Sequence, residues 1–257
     1  MSVSVVVLLH AFPLDQRLWR HQVTQLTALG FEVITPDLPG FGWTALLDAA
    51  PSLELVADHV LVQLDEHGVD RCILGGVSLG GYVAMAMLRS RPAIADGVVL
   101  CGTKATADGE QARANRERLA RLVLDAPDDC SRILEQAVLP GLIGDTSRAE
   151  RPAVVGQVRD WLADAPAETV AWYQRAMAVR PDSRDVLASL DVPGLVVWGA
   201  EDALSPRAEQ DLMIDVLADA RLDVVDAAGH LALIERPDTV GDAIAQFVLR
   251  TTGQRPS

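Results

Sequence analysis

The sequence predicts an α/β fold, a mostly parallel sheet with helices on both faces and one helical insertion. Three observations carry this expectation. Short β-branched runs alternate with amphipathic ones, the pattern of strands buried on both faces and joined by helical crossovers. The alternation stops between Thr103 and Leu190, where helical periodicity continues without a convincing strand. Gly76-Val77-Ser78-Leu79-Gly80 stands where the apolar run Cys72-Ile73-Leu74 gives way to a helix-period run beginning at Tyr82.

Taken in order, Val3–Leu9 is the first expected strand. Asp15 can cap a helix that runs to Leu29 and stops at Gly30, and Glu32–Thr35 follows as a strand. A helix from about Leu53 to His67 ends before Gly68. Arg71–Gly75 is the strand that enters the Gly-rich motif, and the helix after it reaches Arg89. Gly97–Cys101 leads into the insertion, whose helical runs are Gln111–Leu124, Arg132–Leu139, Ala153–Ala163 and Thr169–Ala178. Strands Leu195–Trp198 and Leu222–Val225 complete the pattern, and from Thr252 to Ser257 no element is expected. The expected organisation is a core of residues 1–102 and 191–257 with an insertion of residues 103–190. In an open α/β sheet ligands bind at the carboxyl ends of the strands, so an insertion leaving Cys101 hangs over that edge as a lid. Trp161, Trp172, Tyr173 and Met177 are expected to pack lid helices together, with Trp161 also retained as a candidate for the pocket.

A chain of 257 residues, 49% hydrophobic, can bury a large core as one domain with an insertion. The net charge of −14 argues against nucleic acid or an anionic membrane surface as partner, since both need clustered basic surface. All basic residues but Lys104 are arginine, which carries no functional reading by itself. The three cysteines are an odd number, and Cys72 and Cys101 lie in apolar strand-like runs where a small hydrophobe packs well. A reduced, cytoplasmic protein is expected. The segment Met1–Leu9 lacks a basic leader and reads as a strand, and no apolar stretch has the length to cross a bilayer.

The Gly76–Gly80 motif predicts a serine nucleophile on a strand-to-helix elbow. A serine turned out of so tight a junction adopts strained dihedrals, and flanking glycines remove the Cβ atoms that would collide there. The N-terminus of the following helix favours negative charge beside Ser78. The motif alone is weak, arising by chance in about one chain in twenty of this length at average glycine and serine usage. A base, an acid and an oxyanion pocket must accompany it.

Five histidines compete for the role of base. His21, His59 and His67 fall within helices flanking the sheet, and His10 sits at a strand end where Ala-Phe-Pro follows. His230 lies in Ala227-Ala228-Gly229-His230-Leu231, a small-residue loop after the last strand that lets an imidazole lean toward the elbow. The acid should come from the end of a neighbouring strand, where Glu201 and Asp202 both stand, with Asp226 and Asp37 as outsiders more suited to turn capping. Two backbone N–H groups must hold the oxyanion. Leu79, directly after Ser78, supplies one, and Phe12, in the loop leaving the first strand, is positioned to supply the other.

Four segments in this order resemble the α/β-hydrolase family: Leu8-Leu9-His10-Ala11-Phe12-Pro13-Leu14-Asp15; Pro36-Asp37-Leu38-Pro39-Gly40-Phe41-Gly42; Gly75-Gly76-Val77-Ser78-Leu79-Gly80-Gly81-Tyr82; and Val197-Trp198-Gly199-Ala200-Glu201-Asp202 followed by Gly229-His230-Leu231. The resemblance spans essentially the whole chain and is closest to small bacterial carboxylesterases and enol-lactonase-like hydrolases. It implies an α/β-hydrolase fold, a Ser78, Asp202, His230 triad, and no metal or other cofactor. Ala11 departs from the usual glycine and leaves the Phe12 amide available. Trp43 stands where many members have a small polar residue, so its ring is expected to narrow the pocket. The sequence begins on the strand before the oxyanion loop without the leading hairpin most members carry, so about six strands are expected.

The resulting expectation is hydrolysis of a small-molecule ester or lactone through an acyl-enzyme, by a monomer or homodimer without nucleic-acid or membrane partner. A cofactor-free perhydrolase and a slow-turnover ligand receptor on the same fold are the alternatives. Phe12, Trp43, Trp161 and Leu231 are the candidates for contact with substrate.

Overall fold

The computed structural model describes residues 5–253. Val3 and Ser4 of the first expected strand, and residues 254–257 of the tail, lie outside the described residues. Six strands, β1 Val5–Leu9, β2 Glu32–Ile34, β3 Cys72–Val77, β4 Ala95–Cys101, β5 Gly194–Gly199 and β6 Ala220–Val225, form one sheet in the order β2-β1-β3-β4-β5-β6. Every pairing is parallel. The six strands and the sheet's parallel direction match the expectation. The central strands are closed to water on both faces, Val6 to Leu9 and all of β3 being buried, which is why they read as continuous apolar runs.

The helices between the strands are α1 Arg20–Ala28, α2 Leu53–Glu66 and α3 Leu79–Ser90. Between β4 and β5 stand α4 Glu110–Asp125, α5 Cys130–Ala137, α6 Leu139–Leu142, α7 Asp145–Glu150, α8 Pro152–Leu162, α9 Ala167–Val179 and α10 Arg184–Ala188. After β5 come α11 Arg207–Val216, α12 Ala232–Glu235 and α13 Pro237–Thr252. Among the described residues no helix is long and apolar enough to cross a membrane.

The first expected helix is divided. The Asp15 carboxylate accepts from the Arg17 N–H at 2.9 Å and is held by the Arg17 guanidinium, so Gln16–Trp19 winds as a 3₁₀ turn and α1 starts only at Arg20. A side-chain acceptor two residues upstream tightens that first turn before α-helical bonding takes over.

Sequence patterning assigns Trp172 and Tyr173 to contacts between insertion helices, and the structure corrects this. The Trp172 indole N–H donates to the Ala49 carbonyl at 2.9 Å, and the Tyr173 ring meets that of Phe41 at 4.9 Å. Thr169 adds a hydroxyl bond to the Gly40 carbonyl. These side chains fasten α9 to the loop that follows β2, because a buried indole N–H requires an acceptor and that loop supplies one.

Chain order turns back at β1, whose two neighbours in the sheet are β2 and β3. A crevice opens beyond the carboxyl ends of the strands at such a switch point. Residues leaving β1 and β3, Phe12 and Ser78 among them, meet there.

Two glycines give opposite expected outcomes on replacement by alanine. A Cβ at Gly80 would collide with the Leu9 carbonyl, rigid backbone that cannot retreat, whereas one at Gly156 in α8 would meet nothing within 4 Å. Urea unfolding should show Gly80→Ala destabilised by about 1–3 kcal/mol and Gly156→Ala stabilised by about 0.5–1 kcal/mol.

Candidate active site

Ser78 ends the β3 run with φ 53° and ψ −112°, one of two non-glycine residues with positive φ among the described residues. Its strain is held in place from both sides. The Ser78 N–H donates to the Cys101 carbonyl at 2.9 Å, and its own carbonyl accepts from the buried Thr103 hydroxyl at 2.8 Å and from the Gly81 N–H at 3.0 Å. A Cβ at Gly76 would collide with the Gly80 backbone, so α3 can lie directly against the end of β3 only because both residues are glycine.

Asp202 follows β5 and is 5% exposed. Its Oδ1 accepts from the Leu204 and Ser205 N–H groups at 2.8 and 3.0 Å. Its Oδ2 accepts from the Ser205 hydroxyl and lies 2.9 Å from His230 Nδ1. Burial pushes this carboxyl upward, but the His230 charge and the bonds from His230 and Ser205 outweigh it, leaving Asp202 below the usual carboxylate range. An ionised Asp202 fixes the proton of His230 on Nδ1 and turns Nε2 outward. Nε2 is buried and has no hydrogen-bond partner among the described residues. His230 and Ser78 line the same cavity, about 440 Å³ in volume.

The remaining carboxylates are engaged otherwise. Glu201 accepts from the Thr146 N–H at 2.9 Å and from the Thr146 hydroxyl, Asp37 accepts from Gln16, and Asp226 is exposed. The other histidines are likewise occupied or remote. His10 is fully buried, with Nδ1 3.0 Å from the Ala11 carbonyl and Nε2 accepting the Leu38 N–H at 2.9 Å. Burial holds its pKa down, and with both nitrogens engaged it has no lone pair for a serine. His21, on α1, pairs with Asp238, and His67, in the turn that ends α2, with the Gln63 carbonyl. Burial raises the Cys72 and Cys101 thiols to about 12, so neither is a thiolate near neutral pH.

Phe12 lines the Ser78 cavity, and the Phe12 and Leu79 amides donate to no protein acceptor among the described residues. One of these free N–H groups lies beyond β1 and the other at the start of α3.

Three expected contacts are not brought to this cavity. Trp43 is 98% exposed and Trp161 lies under the guanidinium groups of Arg17 and Arg20. Both border a separate cavity of about 640 Å³ that contains none of Ser78, Asp202 and His230. Trp43 therefore does not narrow the pocket, because the turn after Phe41 directs its ring to solvent. Leu231 is fully buried, and its N–H donates to the Leu142 carbonyl instead of facing the cavity. Met177, expected only to pack helices, does line it.

Sequence reasoning missed the braces: Thr103 on the elbow, Ser205 on Asp202, and Glu235. The Glu235 carboxylate is buried and accepts from the Gly229 N–H at 2.9 Å and the Gly144 N–H at 3.0 Å, tying the His230 loop to the insertion. An acidic residue closing the apolar run Leu231-Ala232-Leu233-Ile234 was the available signal. Thr103 and Ser205 gave none, since a hydroxyl at a strand end is common.

A family model described as the alpha/beta hydrolase family matches residues 6–243. The chain belongs to the alpha/beta hydrolase family. It is 30% identical over 264 residues to a pimeloyl-[acyl-carrier protein] methyl ester esterase of Aeromonas hydrophila subsp. hydrophila, covering 96% of this chain and all of that protein. It is 25% identical over 250 residues to 3-oxoadipate enol-lactonase 1 of Acinetobacter baylyi, covering 96% of this chain and 89% of the lactonase. A malate-bound thermophilic esterase from Thermogutta terrifontis superposes with a TM-score of 0.91 at 34% identity, over 97% of this chain and 91% of that one. In this alpha/beta hydrolase the sheet has six strands among the described residues.

The depressed Asp202 carboxyl has a direct consequence for stability. A group that titrates lower in the folded than in the unfolded chain stabilises the fold above its unfolded value, and that contribution disappears as pH falls through the folded value. Asp202→Asn should therefore be less stable than wild type in urea at pH 7. The difference should narrow as pH drops below the ordinary aspartate value of about 3.9.

Proposed function

We propose that this alpha/beta hydrolase cleaves carboxylic esters or lactones of small molecules with Ser78 as nucleophile, His230 as base and Asp202 as the residue that orients it. One observation carries the reading. The imidazole is fixed through Nδ1 by a buried carboxylate while Nε2 is left without a partner beside the cavity that Ser78 lines. His10 has both nitrogens engaged, and His59, whose Nε2 is also buried without a partner, lies on α2 and does not line that cavity, so His230 alone among the described residues joins a free Nε2 to a place beside Ser78. The ester- and lactone-cleaving relatives support the same reading.

His230 Nε2 takes the Ser78 hydroxyl proton as Oγ attacks the carbonyl carbon, and the developing oxyanion accepts from the Phe12 and Leu79 amides. Protonated Nε2 then gives its proton to the departing alkoxide, leaving an acyl-enzyme on Oγ. A water loses its proton to Nε2 and attacks that acyl carbon. Collapse of the second tetrahedral intermediate releases the acid and returns the proton to Oγ. Asp202 stays ionised throughout and stabilises the imidazolium of both halves.

Residues 103–190 serve in this reading as a lid over a core of residues 1–102 and 191–257. Support comes from the lining: α4, the Val138–Leu142 stretch and Met177 border the cavity opposite Ser78 and His230. Free amides beside a free Nε2 favour turnover over a receptor role, since a receptor has no use for an oxyanion pocket.

Hydrolysis of 4-nitrophenyl butyrate tests the assignment. Ser78→Ala and His230→Ala should each lower kcat by on the order of 10⁶-fold, and the double variant little further, because the residues act as a unit. A fluorophosphonate probe should label wild type and not Ser78→Ala. Equal rates for wild type and Ser78→Ala would remove Ser78 from the chemistry.

A further inference from the structure

One wall of the Ser78 cavity carries more positive charge than its own carboxylate balances. Lys104, Arg116 and Arg118 line the cavity, and Asp108 is the carboxylate among its lining residues. The Asp108 side chain is fully buried and shared among three cations. Arg116 Nε contacts its Oδ2, Arg180 Nη1 lies 2.8 Å from Oδ1, and Lys104 Nζ stands 3.9 Å away. Arg180 is committed to the fold: it donates to the Met177 and Thr106 carbonyls at 2.9 Å each and lies 3.9 Å over the Tyr82 ring. One carboxylate cannot neutralise three cations, so positive charge is left over where Lys104 and Arg116 meet the cavity.

Arg118 adds to this excess, since it has no ion pair among the described residues. Its neighbour Glu117 is engaged by Arg121 and Arg175 instead, at 2.9 and 3.2 Å. The local sign is opposite to that of the chain, whose net charge is −14. It arises from helix geometry. Arg116, Leu119 and Leu122 recur on α4 at spacings of three, which turns a mixed cationic and apolar stripe toward Ser78. Val138, Leu142 and Leu204 extend the apolar part.

We propose, on the strength of the esterase reading above, that the substrate is an ester bearing a second, free carboxylate, joined to the reacting carbonyl by a short hydrocarbon stem. The apolar wall receives the stem. Lys104, Arg116 and Arg118 receive the carboxylate. Lys104 and Arg116 are half-buried and hold an anion more firmly than an exposed cation such as Arg118, because less solvent screens them, and the Asp108 contact already orients the Arg116 guanidinium. Nothing comparable would hold an uncharged chain end at this wall, so selectivity comes from charge.

The test compares monomethyl esters of succinic, adipic and suberic acids with methyl esters of monocarboxylic acids of matched length, followed by proton release. At the preferred length, wild-type kcat/KM should favour the anionic ester by about tenfold or more, the worth of one charge-assisted hydrogen bond. That ratio should fall several-fold in Lys104→Met and in Arg118→Met. In wild type it should also fall as sodium chloride is raised to 0.5 M, a readout that needs no folded variant. The proposal is overturned if neutral esters are cleaved as well as anionic ones at every length. A preference unmoved by both substitutions and by salt overturns it equally. In either case Ser78-dependent cleavage of the neutral esters would leave the esterase reading standing, whereas failure to cleave any ester would end both.

Discussion

The close approach of α3 to the end of β3 is the constraint on which the rest of the site depends. Gly80 lies against the Leu9 carbonyl and Gly76 against the Gly80 backbone, so β1, β3 and α3 are locked together at van der Waals distance. That packing forces Ser78 to a positive φ and lifts its side chain out of the sheet. It also leaves the first amide of α3 without a protein partner, at the positive end of the helix. The position of Ser78, the free Leu79 amide and the local field thus follow from one backbone contact. The hydroxyl of Thr103 and the Cys101 carbonyl hold the turn from the neighbouring strand, so the strain is sustained by the sheet itself.

The adjacent carboxylates Glu201 and Asp202 divide between the two halves of the protein. Asp202 turns inward to His230, while Glu201 reaches Thr146 at the start of α7. Glu235 makes the same connection from the other side, holding Gly229 of the histidine loop and Gly144 of the insertion on one buried carboxylate. Burial raises the Glu235 carboxyl, and its two backbone donors only partly offset this. The loop that carries the proposed base is therefore bonded directly to the segment that roofs the cavity.

In a protein of net charge −14, Lys104, Arg116 of α4 and Arg180 after α9 gather around Asp108 at the cavity wall. Buried ion pairs of this kind add little to stability once desolvation is counted. Their effect is to hold long side chains in fixed directions. Ser78 and His230 line the cavity from the sheet side, and Lys104, Arg116 and Arg118 line it from the segment between β4 and β5.

Periodicity was enough to place the six strands and most of the helices between them. These depend on local alternation of apolar residues, which the chain carries openly. The elbow was legible because glycine spacing records a backbone conflict, and His230 because small residues surround it. The choice of Asp202 over Glu201 was not local: both stand at the end of β5, and only the path of the histidine loop determines which one meets Nδ1. The wall of the cavity was likewise invisible to periodicity. Trp43, Trp161 and Leu231 have the composition of a binding pocket yet face solvent, a second cavity and the core, respectively. Lys104, Arg116 and Arg118 read as ordinary surface charge until α4 is seen turned toward Ser78. Side-chain direction across an interface between distant segments is a property of packing, so the sequence alone determined the strands and the glycines of the elbow, while the tertiary structure decided which side chains meet there.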